Sequence, residues 1–183
     1  MLNIDQFKSV FRNPARSNLF LVQLNFPSPI SNDAKDVFYC HSASLPTRTV
    51  GVIDIGYMGR HIKFQGDSSY NEMTIGIYND LDFTLRKKFE AWVELVNGAK
   101  DNLSAIDWGT IQTDMKVFQL DGKENVIKVY KLVHAWITSC GDQIDLGWDQ
   151  DNQAEQYTIT IDYDYWETET TRGGGVDAGI ASS

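Results

Sequence analysis

The stretch TRTVGVIDIGYMGRHIKFQG, Thr47–Gly66, decides how the rest of the chain is read. Val50, Val52, Ile53, Ile55 and Tyr57 lead outward, Ile62 and Phe64 lead back, and Met58, Gly59 and Arg60 lie between them. Two β-branched and aromatic arms around a glycine spell a long β-hairpin. Gly51, Gly56, Gly59 and Gly66 stand where a strand must curve, bulge or admit another backbone. A hairpin of this length cannot bury both faces against a domain of this size, so it projects. A projecting ribbon that carries apolar side chains needs another chain to cover it. The first expectation is therefore assembly, not catalysis.

The hairpin sits inside an ordered block, Phe38–Asn97. A strand over Phe38–Leu45 precedes it, a strand over Glu72–Tyr78 follows, and an amphipathic helix spans Asp82–Asn97. In that helix Leu85, Phe89, Trp92, Val93 and Val96 fall at i, i+4, i+7, i+8 and i+11, one apolar stripe. Arg86, Lys87, Glu90 and Glu94 face away, Asp82 is placed to cap the start, and Asn97-Gly98 ends the run. Such a stripe is core packing, so the helix covers one face of a sheet.

Before this block, Ile4, Phe7, Val10 and Phe11 recur at helical spacing behind Asp5, and Asn13-Pro14 ends the pattern. A helix this short is unstable alone and must dock on its own domain or on a neighbour. Leu19–Phe26 reads as a strand broken by Pro27-Ser28-Pro29, and Ser31–Lys35 as a polar turn. After the helix, Lys100–Ile111 reads as a loop. Asp114–Leu120 and Val126–His134 form a hairpin around Asp121-Gly122, which Ala135–Cys140 continues or reverses, with Gly141 as a bend. Gln143–Trp148 is a short strand and Gln156–Trp166 the last long one. There Tyr157, Ile159, Ile161, Tyr163 and Tyr165 line one face, and Thr158, Thr160, Asp162 and Asp164 the other. The expected organisation is an N-terminal arm over residues 1–18, a β domain over 19–167 and a flexible Gly-rich tail over 168–183.

Composition agrees with one folded domain. The chain has 183 residues, 42% of them hydrophobic and 12% aromatic, enough for a real core with a lean towards strands. A formal charge of −9 argues against a surface that grips nucleic acid through its phosphates. It fits a surface that nucleic acid slides past, and equally an ordinary soluble protein. Cys40 and Cys140 lie in apolar runs and read as single buried thiols. The first residues lack a basic segment followed by an apolar one, and no run approaches membrane-spanning length, so synthesis and folding in a cytoplasm are expected.

No catalytic pattern stands out in the sequence. His41, His61 and His134 are scattered, and no nucleophile elbow, phosphate loop or dinucleotide fingerprint occurs. Asp149, Asp151, Gln153 and Glu155 occupy positions one, three, five and seven of a calcium loop, but Ala154 and Thr160 replace its glycine and final glutamate. A solvated turn is the better reading. Asp162 and Asp164 have the residue types of a glycosidase pair, although alternation on an exposed strand face also produces them. Of Trp92, Trp108, Trp136, Trp148 and Trp166, the first belongs to the helix stripe and no two others are close in sequence. The expectation is no catalytic residue, no cofactor and no metal. A glycan-binding or glycan-cleaving β-sandwich using Asp162, Asp164 and Trp148 stands as the alternative of another class.

An ordered set of segments then points to a family. It comprises Ala15-Arg16-Ser17-Asn18-Leu19-Phe20, Phe38-Tyr39-Cys40 with Ala43-Ser44-Leu45-Pro46, and Gly56-Tyr57-Met58-Gly59-Arg60 with Ile62 and Gly66-Asp67. Tyr78-Asn79-Asp80 follows, leading into Arg86, Lys88, Phe89 and Trp92, then Leu146-Gly147-Trp148-Asp149 and Asp162-Tyr163-Asp164-Tyr165-Trp166-Glu167. In this order and spacing the chain, from Ala15 to Glu167, resembles the tail tube proteins of contractile-tailed, T-even-type bacteriophages.

The resemblance implies a mainly β fold, a β-sandwich or half-barrel flanked by one α-helix. Six copies close into a ring with a continuous inner β-barrel, and rings stack head-to-tail into a virion tail tube assembled in the host cytoplasm. The implied partners are the chain itself as a homohexamer, a contractile sheath outside, a tape-measure protein and a baseplate tube initiator. DNA passes through the lumen during ejection without specific binding. Six copies at −9 each carry a formal −54, which would repel DNA phosphates if part of it lined the lumen. Val52, Ile53, Ile55, Tyr57, Met58 and Arg60 are the expected ring-stacking residues. Asp162 and Asp164 are lumen candidates that could equally face the sheath. A baseplate tube initiator, or the ring protein of a bacterial secretion tube, is the nearest alternative.

Overall fold

The computed structural model describes residues 3–10, 15–141, 147–148 and 154–169. In chain order they form α1 (Ile4–Val10), β1 (Phe20–Gln23), a 3-10 helix (Ala34–Tyr39), β2 (Cys40–Ala43), β3 (Arg48–Tyr57), β4 (Arg60–Tyr70) and β5 (Met73–Tyr78). Then come α2 (Thr84–Val96), α3 (Trp108–Ile111), β6 (Thr113–Leu120), β7 (Val126–Cys140), β8 (Gln156–Asp162) and β9 (Tyr165–Glu169). The fold is mainly β, as expected, with α2 as the one long helix among the described residues.

Strand β7 organises it. Along its first half β7 pairs with β6 on one edge and β9 on the other, and along its second half with β8. One seven-stranded antiparallel sheet results, ordered β1-β6-β7-β8-β5-β2 with β9 beside β7. It bends where β7 passes His134, whose φ of 56° breaks the extended backbone. The neighbouring strand breaks at the same level, and there the Asp164 N–H donates to the Val133 carbonyl at 3.2 Å. Two wings follow. Val22, Met115, Val117 and Leu132 from one, and Met73, Ile75, Ile77, Ile137, Ile159 and Ile161 from the other, enter a single core.

Helix α2 closes that core with Leu85, Phe89 and Trp92, while Val93 and Val96 are half-buried beside them. The Phe26 ring meets Phe89 and Trp92 edge-on at 5.0 and 5.7 Å. The Trp92 indole N–H donates to the Ile111 carbonyl at 3.1 Å. That bond explains why 100–111 is more than a loop: buried Ile111 ends a short helix that α2 holds down.

Several local expectations change. Asp82 does not cap α2; the helix starts at Thr84, whose N–H donates to Asp80 Oδ1 at 2.8 Å. Phe38 and Tyr39 lie in the 3-10 helix and not in a strand, because Asp33 and Asp36 form a reciprocal capping box across the expected polar turn. The second hairpin turns through Asp121–Asn125. Its positive φ falls on Glu124, at 63°, not on Gly122, and the Asp121 carboxylate accepts from the Lys123 and Asn125 N–H groups. The inward face of the last strand holds for Tyr157, Ile159, Ile161 and Tyr163. After the break the parity reverses, so Tyr165 is exposed and Trp166 packs against the core.

Cys40 and Cys140 are half-buried free thiols, less enclosed than expected. They lie on β2 and β7 with β5 and β8 between them. Three strand spacings put them about 14 Å apart, twice what a disulfide spans. Burial pushes the thiols up to about 12 and about 11 respectively. Residues 143–146, 149–153 and 170–183, which carry the expected short strand, most of the calcium-like loop and the tail, lie outside the described residues.

Candidate assembly surface

The hairpin of β3 and β4 is a sheet of its own: the two strands pair with each other and with nothing else among the described residues. Its turn is Met58-Gly59, with φ values of 46° and 77°. Two consecutive positive φ angles make the turn whose twist matches two right-twisted strands. Near the base β4 holds one more residue than β3 between Val50↔Ser68 and Val52↔Gln65. The backbones touch there, and a Cβ on Gly66 would stand 2.9 Å from the Gly51 carbonyl carbon. The return strand runs four residues past Gly66, to Tyr70. At the root the Tyr163 hydroxyl donates to the Asn71 carbonyl at 2.7 Å, and the Asn71 amide donates to Thr47 Oγ1 at 3.1 Å.

Register divides the ribbon into two chemically distinct faces. Ile53 opposes Phe64, Ile55 opposes Ile62 and Tyr57 opposes Arg60, so these six side chains share one face. Val52 opposes Gln65, Asp54 opposes Lys63 and Gly56 opposes His61 on the other, where His61 Nδ1 lies 3.1 Å from Asp54 Oδ1. Of the six expected stacking residues, Ile53, Ile55, Tyr57 and Arg60 are together, Val52 is on the polar face and Met58 caps the tip, 87% exposed. Ile62 and Phe64 complete the apolar face. Their pairing register, readable by counting back from Met58-Gly59, was the available signal for including them.

Each of these aliphatic and aromatic side chains keeps about half or more of its surface in solvent, from Ile62 at 49% to Tyr57 at 66%. A two-stranded ribbon with an uncovered apolar face is marginally stable in water.

The two lumen candidates do not continue one strand face. Asp162 ends β8, half-buried, opposite Trp136, with Oδ1 accepting from the Tyr163 N–H at 2.9 Å. Asp164 lies in the break beyond, exposed, with Oδ2 2.7 Å from His134 Nδ1. The corner also holds Asp114, whose Oδ2 is 2.8 Å from Lys131 Nζ and whose Oδ1 accepts from the His134 N–H. The Lys131 ammonium holds the Asp114 carboxyl below its ordinary range. Trp108 and Trp136, 28 positions apart, meet edge-on at 5.2 Å, a contact that sequence distance concealed. Among the described residues no three His, Cys, Asp or Glu side chains converge as a metal site.

A family model described as "Phage tail tube protein" matches residues 15–169. The tail tube protein of Enterobacteria phage T4 is 28% identical over 155 residues, covering 84% of this chain and 91% of that one. The tail tube protein of Serratia phage KSP90 is 24% identical over 169 residues, covering 89% and 95%. Among solved structures, a chain of the anti-feeding prophage baseplate superposes with a TM-score of 0.62 at 18% identity, covering 86% of this chain and 96% of that one. A chain of the sheath-tube complex of an extracellular contractile injection system gives 0.59 at 13% identity, covering 93% and 99%. Fold, matched span and relatives agree: the chain belongs to the phage tail tube protein family.

Proposed function

We propose that the chain closes into hexameric rings with a continuous inner β-barrel, and that the rings stack head-to-tail into the conduit for DNA ejection inside a contractile sheath. The observation that carries this reading is the free-standing hairpin, whose apolar face has no cover among the described residues of its own subunit. A stacked copy supplies that cover. Strands β1 and β2, the open ends of the seven-stranded path, are among the edges available for closing a ring without exposed strand edges, together with β9 and the two ribbon strands. A head-to-tail contact uses two different surfaces and propagates into a filament.

The sheath packs outside, the tape-measure protein occupies the lumen before DNA, and a baseplate initiator nucleates the first ring. The chain acts in the virion tail as a structural, non-enzymatic part. The formal charge of −9 per subunit supports a wall that DNA slides past. Asp162 and Asp164 are proposed as lumen residues on the same ground. The N-terminal arm and the C-terminal tail, on either side of the β domain, are proposed as peripheral segments.

Electron microscopy of the purified protein tests this. Hollow tubes or rings of uniform width are expected. Tyr57→Asp with Met58→Asp should leave folded subunits that grow no tube. Unchanged tube length in that variant would overturn the role given to the hairpin.

A further inference from the structure

We infer that the hairpin tip of one subunit seats on the knuckle Asp80–Phe83 of a second copy in the next ring; this rests on the stacking proposed above and names its receiving surface. Topology sets up the pair. The hairpin joins the sheet at the N-terminal end of β5, through Asn71 and Glu72, and residues 79–83 leave from its C-terminal end. The two features therefore lie at opposite ends of a six-residue strand, about 20 Å apart. A contact that propagates needs donor and receiver at opposite ends.

The knuckle is built and held. Its Asn79 N–H donates to the Glu155 carbonyl and its Asn79 amide to Glu155 Oε1, both at 2.9 Å. The Phe83 N–H donates to the Asp80 carbonyl at 3.1 Å, and Phe83 has a φ of 54°, a conformation that bulky residues rarely adopt. This backbone presents Leu81 wholly to solvent, at 100% exposure, with Phe83 at 38% and Tyr78 at 45% around it.

Chemistry matches across the pair. The tip offers apolar Tyr57 and Met58 with Arg60 beside them, and Lys63 behind. The knuckle offers apolar Leu81 and Phe83, flanked by Asp80 and Asp82. Asp80 is occupied in capping α2, which leaves exposed Asp82 as the carboxylate for Arg60. Methionine on leucine and phenylalanine supplies the apolar centre, and the charge pair fixes which copy faces which.

The test is a charge exchange followed by electron microscopy and sedimentation. Arg60→Glu and Asp82→Arg should each stop assembly at single rings while leaving the fold intact by circular dichroism. Mixing the two sets of preformed rings should restore tubes, because each ring then presents the complement of the other at both ends. A second pair checks direction: Leu81→Asp rings mixed with Arg60→Glu rings should give stacks of two and no longer. Mixed charge-reversed rings that stay single, or Asp82→Arg tubes of wild-type length, would overturn the inference while wild-type tubes leave the stacking itself standing. A wild-type chain that forms neither ring nor tube would overturn the reading beneath it.

Discussion

Lys88 Nζ lies 2.7 Å from Asp36 Oδ2 and 2.9 Å from Oδ1, and both side chains are almost wholly withdrawn from solvent. The pair fastens the 3-10 helix to α2, and Lys88 also sits 5.6 Å over the Phe26 ring. Asp36 accepts from the Asp33 N–H as well, at 3.2 Å, so one carboxylate serves a cap and a cation. Removing one partner strands the other charge in a largely desolvated site. Asp36→Ala is expected to cost about 3–5 kcal/mol in urea unfolding, whereas Asp36→Leu with Lys88→Met should recover much of that loss. Equal loss in single and double variants would contradict the pairing.

The Asp121–Asn125 turn makes a smaller prediction of opposite sign. Glu124 holds a positive φ at a cost that glycine does not incur. Glu124→Gly should stabilise the chain by about 1 kcal/mol. Asp121→Ala should lose roughly 1–3 kcal/mol, because two backbone N–H groups lose their acceptor. Thermal melts of both variants distinguish turn strain from turn hydrogen bonding.

Alkaline pH should weaken the fold through its thiols. Burial raises Cys40 from 9.0 to about 12 and Cys140 from 9.0 to about 11. Between these values the unfolded chain releases protons that the folded chain keeps, so stability falls as pH rises above about 9. Tyr157, likewise pushed up by burial, extends the effect further into alkali. Urea midpoints should be flat from pH 7 to 8.5 and decline beyond. Cys40→Ala with Cys140→Ala should make that decline shallower.

Gly66 separates ribbon from core. A side chain there meets the Gly51 backbone, so Gly66→Val should force the two strands apart at the bulge. Apart from Tyr70 at its root the ribbon lies outside the core cluster, and the expected result is a nearly unchanged melting temperature with tube growth abolished. A large drop in melting temperature would show that the ribbon supports the domain after all.

What the sequence disclosed, and what it concealed, follows from the range of the interactions. Periodicity finds α2 because its stripe is set by neighbours three and four residues away, alternation finds β8, and β-branched and aromatic content around glycines finds β3 and β4. The start of α2 is not legible because Asp80, four residues before Thr84, reaches over Leu81 to its first N–H, a role that Asp82 fits equally well on paper. The reversal at Tyr165 was hidden because the break at Tyr163–Asp164 is imposed by β7 turning at His134, thirty residues earlier in the chain. Ile53, Ile55 and Tyr57 were legible as exposed. That Val52 faces the other way follows from its pairing with Gln65, a register set by the Met58-Gly59 turn.

The free-standing ribbon also has a kinetic consequence. In the proposed stack its apolar face gains cover only when a neighbouring copy arrives, so an isolated subunit holds a marginally stable ribbon. On the proposed geometry a subunit that meets another alone seats one ribbon on one knuckle, whereas one that joins a growing end seats its ribbon and pairs with its ring neighbours at once. Spontaneous initiation is then slow and extension fast, with a lag that preformed ends abolish. A concentrated pool of subunits can wait in solution until a template starts them.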